Sequence, residues 1–178
     1  MGAYRQFGLT VMQLLAGVGA GEAGSFHSIA TTTLSTAQAT VTFSSIPATF
    51  KHLQVRVLVK TSAGGSLYMT VNSTGATKNH QLRGDGSTAY SAVTAGNFVL
   101  NTSTSAFTAG IIDILDYTNT NKLRVSRSIG GYDANGSGEV NLGSGFYNIS
   151  TVVSSLSFSM TSGNITSLSS LALYGIAG

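Results

Sequence analysis

The chain has 178 residues, no cysteine and no tryptophan, which fits one domain and excludes disulfide staples and thiolate metal centres. Only 8% of residues are charged, against a usual share of about 25%, while 42% are hydrophobic. That is too apolar for a disordered chain and too weakly charged for an ordinary free monomer, so a surface of hydroxyls and amides suits a protein that meets neighbours or sugars.

The formal net charge is +3. The basic residues are spread from Arg5 to Arg127, and only Lys122, Arg124 and Arg127 cluster. Nucleic-acid binders carry a basic stripe with interleaved aromatics. This pattern reads instead as a solvated strand face, so no nucleic-acid partner is expected.

Residues 1–24 stand apart. Phe7, Val11, Leu14 and Val18 fall at helical spacings, and Gly17, Gly19, Gly21 and Gly24 break the run. A signal peptide, a membrane helix and a docking arm all draw on such a pattern. The apolar run is shorter than the roughly 18 residues a span needs, and it is glycine-broken. The preferred reading is an N-terminal arm, helical or extended, whose stripe buries against another protein chain, with no membrane span.

From Ser25 the period becomes two, which is the signature of half-buried strands. Val41 and Phe43 alternate before Ile46-Pro47 ends their strand. Leu53, Val55, Val57 and Val59 share one face of HLQVRVLVK. Leu67, Met69 and Val71 alternate in SLYMTVN. IIDIL, KLRVSRSI and GEVNL continue the pattern. In VVSSLSFSM one face carries Val152, Ser154, Leu156, Phe158 and Met160. Turn chemistry separates these runs at Gly64-Gly65, Asp85-Gly86, Asn119 to Asn121, Asn135-Gly136 and Ser162-Gly163-Asn164. Roughly nine or ten short strands predict an all-β, antiparallel sandwich or barrel over residues 25–178.

Little in the chain carries chemistry. His27, His52 and His80 are isolated from one another, and no nucleophile elbow or phosphate loop occurs. Asp113 and Asp116 are close in sequence, but a turn role suits them better than the carboxyl pair of a glycosidase. The alternating oxygens of Asp133, Asn135, Ser137 and Glu139 resemble half a calcium loop. The distal glutamate position is Ser144, and Asn135-Gly136 explains the segment as a hairpin without any ion. No catalytic residue, cofactor or metal is therefore expected.

The segments SIATTTLSTAQATVTFSSIPATFKHLQVRV, IIDILDYTNTNK and SLALYGIAG resemble a family of bacteriophage virion proteins. The resemblance spans about residues 28–178. It implies a non-enzymatic jelly-roll-like protein displayed on the particle surface, without a catalytic motif. The expected function is capsid decoration or cementing, because so short a chain has no room for a fibre shaft. The alternative is a tail-fibre or other appendage module that binds a host receptor or glycan. Expected partners are the chain itself, as a homotrimer by analogy with phage surface proteins, and the major capsid or other virion proteins. Tyr117 and Tyr174, amphipathic side chains suited to a rim, are the candidates for a surface contact.

Overall fold

A computed structural model describes residues 25–94 and 96–178. The arm residues Phe7, Val11, Leu14 and Val18 lie outside the described residues. In chain order the strands are β1 (Phe26–Thr33), β2 (Thr40–Phe43), β3 (His52–Val59), β4 (Gly65–Val71), β5 (Thr74–Gly75), β6 (Lys78–Gly84) and β7 (Ala89–Thr94). They continue as β8 (Phe98–Thr102), β9 (Thr108–Ile114), β10 (Arg124–Asp133), β11 (Gly138–Tyr147), β12 (Leu156–Met160) and β13 (Ser170–Ile176). Among the described residues there is no helix. The protein is all-β, and its antiparallel sheets pack as a jelly-roll-like sandwich.

The larger sheet runs β1-β13-β3-β9-β10-β11-β6-β7, and the smaller runs β2-β12-β4-β5, with β8 also paired to β4. Every ladder is antiparallel. The core of one half follows the expected alternation. Leu53, Val55, Val57 and Val59 of β3 face Val41, Phe43, Leu67, Met69 and Val71, joined by Ile112, Ile114, Leu171 and Leu173. Fully burying each such side chain stabilises the fold by about 1.5–3 kcal/mol. Phe43 and Phe158 meet edge-on, with ring centroids 6.3 Å apart.

One predicted strand starts later than expected. The alternation in VVSSLSFSM predicts a strand from Val152, yet β12 begins at Leu156, and Val153 is the buried valine. The reason is Asn72, whose φ is +48°. Its side-chain oxygen accepts from the backbone N–H groups of Ser154 and Ser155 at 2.8 and 3.1 Å. Those donors are lost to any ladder, so the segment runs as a loop.

The other half of the larger sheet has the opposite polarity. On β10 the inward residues are Arg124, Ser126 and Ser128, all buried, while Val125 and Ile129 point outward and are exposed. On β11 Asn141, Gly143, Gly145 and Tyr147 face inward, and Val140, Leu142 and Phe146 face out. Arg124 thus corrects the expectation of a solvated basic face. It is 1% exposed, and its guanidinium donates to the carbonyls of Lys122 and Thr151 at 2.7 and 3.0 Å.

The cause is β8. Its first three residues, Phe98, Val99 and Leu100, are all buried, and among the described residues β4 is its only ladder partner. The backbone groups on its other side need donors and acceptors from elsewhere. Ser128 Oγ donates to the Val99 carbonyl at 2.7 Å, and the Asn101 N–H donates to Asn141 Oδ1 at 2.5 Å. Between β9 and Leu100 of β8, only hydrogen fits as a side chain on β10. A Cβ on Gly130 would lie 2.5 Å from the Ala109 carbonyl oxygen and 3.0 Å from Leu100.

Gly130→Ala should therefore destabilise the protein by about 1–3 kcal/mol, the usual cost of overpacking. Gly64→Ala, where a Cβ meets nothing within 4 Å, should be neutral or slightly stabilising. Urea unfolding of the two variants against the parent checks both.

Candidate interaction surface

Among the described residues, none covers a broad face of the larger sheet. The ladder registers place its outward side chains in rows. One row reads Arg56, Ile111, Ile129, Leu142, Leu82 and Ser91 across β3, β9, β10, β11, β6 and β7. The next row along the strands is polar: Gln54, Asp113, Arg127, Ser144, His80 and then Val93. Val125 and Phe146 pair beyond it, and Val140 lies on the far side of the apolar row. Ile129 is 55% exposed, Val140 64% and Val93 60%. Isolated exposed aliphatics are ordinary, but a contiguous row across four strands is not.

The charges at the centre of this face are tied up internally. Asp113 accepts from Gln54 Nε2 on one oxygen and from Arg127 on the other, both at 2.9 Å. The same is true of the other described acids. Glu139 accepts from Asn141 at 2.6 Å, from Arg83 at 3.1 Å and from Asn101. Asp85 caps its own turn by accepting from the N–H groups of Ser87 and Thr88 at 2.9 and 2.7 Å, which holds its carboxyl below the usual range.

Asp116 organises the DYTNTNK turn. Its φ of +50° is the left-handed conformation that Asp and Asn tolerate. Lys122 lies 2.7 Å from one of its oxygens and Lys51 3.1 Å from the other, and their hydrogen bonds depress its pKa to about 2. The Asn119 N–H donates back to the Asp116 carbonyl, and the Asn121 N–H to Asn119 Oδ1, each at 2.9 Å. With the chain so turned, Tyr117 points inward. It is fully buried, its hydroxyl donates to the Pro47 carbonyl, and burial raises its pKa. Tyr117 therefore ties the VTFSSIP block to the DYTNTNK block and is not a surface contact.

Tyr174 is half-buried on the outward side. The Arg56 guanidinium sits 5.0 Å from its ring centre and 5.4 Å from that of Phe26, and the two rings meet edge-on. The calcium candidates do not converge. Asn135 and Gly136, with φ of +58° and +105°, form a two-residue hairpin turn. Asp133 pairs with Gly138 and Glu139 with Tyr132, so the two carboxylates leave opposite faces of the ladder. Among the described residues no group of three metal-ligating side chains occurs. The histidines are equally scattered. His27 stacks on Phe50, His52 Nδ1 accepts from the Asp116 N–H, and His80 lies on the open face.

Sequence reading missed the apolar row itself. Its signal was present in GEVNLGSGFY, where Gly143 and Gly145 alternate with Leu142, Ser144 and Phe146. Small residues at every second position of a strand announce a close backbone approach on that side. The bulk then belongs on the other.

No helix among the described residues is long and apolar enough to cross a membrane. A scan against models of protein families finds no match, and a comparison with curated proteins finds none either.

Because the Asp116 carboxyl is depressed in the folded state, its contribution is complete above its unfolded value near 4 and is lost as pH falls towards 2. Asp116→Asn keeps the left-handed turn but removes the charge. Its melting temperature should lie below that of the parent at pH 7, and the gap should close between pH 4 and pH 2. Thermal melts across that range test the assignment.

Proposed function

We propose that this chain is a structural protein of a bacteriophage particle that decorates or cements the capsid surface. The observation that carries this reading is the inverted half of the larger sheet. Apolar side chains stand outward there, above an interior of Ser, Asn, Gly and Arg124. Such a face has a physical reason to exist in a protein that works by contact. The blocks that resemble those of virion proteins point the same way, and Pro47 and Tyr117 join two of them through one buried hydrogen bond.

The carboxylates support a non-catalytic role. All five described acids are engaged by cations, amides or turn N–H groups. Acid–base hydrolysis needs one carboxyl free to hold a proton and a second placed against it. No described pair offers that arrangement.

The second reading is an appendage module that binds a host glycan. It is favoured by Phe26 and Tyr174 flanking Arg56, since exposed aromatic rings beside a guanidinium suit a sugar face and its hydroxyls.

Copy number separates the two readings. Quantitative mass spectrometry of purified particles should find hundreds of copies for decoration and about a dozen for an appendage, while absence from particles would refute both. Deleting residues 1–24 should abolish incorporation while the β-domain stays folded. Normal incorporation of the truncated chain would remove the arm from the account.

A further inference from the structure

We propose that the apolar outer face of β9, β10, β11, β6 and β7 is the docking surface for a second copy of this chain, face to face. The inference goes beyond the particle role and holds whether or not the protein belongs to a virion.

Size is the first argument. The eight apolar side chains on this face are between 38% and 64% exposed. Together they offer on the order of 700 Å² of apolar surface, close to the roughly 800 Å² per partner of a standard interface.

Charge is the second argument, and it selects the occupant. A surface that meets its own copy must not repel itself. The central row is Ile111, Ile129, Leu142 and Leu82, with no ionisable group. In the adjacent row the Arg127 guanidinium is matched by Asp113 at 2.9 Å within the same chain. The centre of the face is thus neutral and apolar, as the cores of protein interfaces are. Arg56 and Lys78, the outward cations without a carboxylate partner among the described residues, stand at the ends of their rows and not at this centre.

Shape is the third. Between the rows run a groove of about 600 Å³ beside Leu82, Val93 and Leu142 and another of about 310 Å³ beside Ile129 and Val140. Ridges of one copy can seat in the grooves of the other at the roughly 10 Å spacing of stacked sheets. The contact would repeat outside the sandwich the packing that holds it together inside. A face stacked on itself is isologous and closes at two copies. The trimer expected by analogy requires a second, different surface.

The test is sedimentation velocity of the full chain at tens of micromolar, in low salt and in roughly molar salt. The parent should be a dimer in both, because screening removes only charge contacts. The double variant Ile129→Lys/Leu142→Lys should dissociate at least tenfold more readily, with an unchanged far-ultraviolet spectrum. Should that variant lose its fold, Val93→Lys/Val140→Lys, at the two most exposed valines of the face, gives the same readout. A monomeric parent overturns the proposal, as does a dimer that dissolves only in high salt. A folded lysine variant that dimerises as well as the parent also overturns it, placing association in the arm or elsewhere.

Discussion

The contact on which the rest depends is the insertion of β8 beneath β10 and β11. A buried strand with one ladder partner has a row of backbone groups that must be satisfied by something other than a strand. Ser128 and Asn141 do this from above, the first by donating to the Val99 carbonyl and the second by accepting from the Asn101 N–H. Close approach then demands small inward residues, which are Gly110, Gly130 and Gly143. With bulk excluded from the inside, the apolar side chains of these strands can stand only outside. The open face follows from the packing beneath it.

This arrangement also explains why so few charges suffice. The acids serve as internal fasteners: Glu139 braces Asn101 and Asn141 under the sheet, and Asp116 gathers Lys51 and Lys122 at a turn. Exposed ion pairs of this kind contribute little stability individually, and the core of Leu53, Leu67, Ile112 and Phe158 supplies most of it. What the pairs contribute is geometry. They position loops, and they leave the centre of the broad face without net charge.

Much of the fold was legible in the sequence because strand alternation is a local signal. The faces of β2, β3 and β4 follow directly from Val41, Leu53 and Leu67 and their neighbours at every second position. Asn135-Gly136 likewise announces its own turn. The errors arise where a partner distant in sequence decides. Arg124 looks like a solvent residue until carbonyls at Lys122 and Thr151 are seen to enclose it. Tyr117 looks like a rim residue, yet Pro47, far away in the chain, takes its hydroxyl inward. Val125 and Ile129 look like core, and only the position of β8 turns them out.

The central claim is that the outer face of β10 and β11 is covered when copies meet. Hydroxyl-radical footprinting of the full chain, at high and at very low protein concentration, addresses it directly. The account predicts that Ile129, Leu142 and Phe146 become protected as concentration rises, while exposed Leu168 outside the face labels equally throughout. Labelling of those three side chains that does not change with concentration would contradict it.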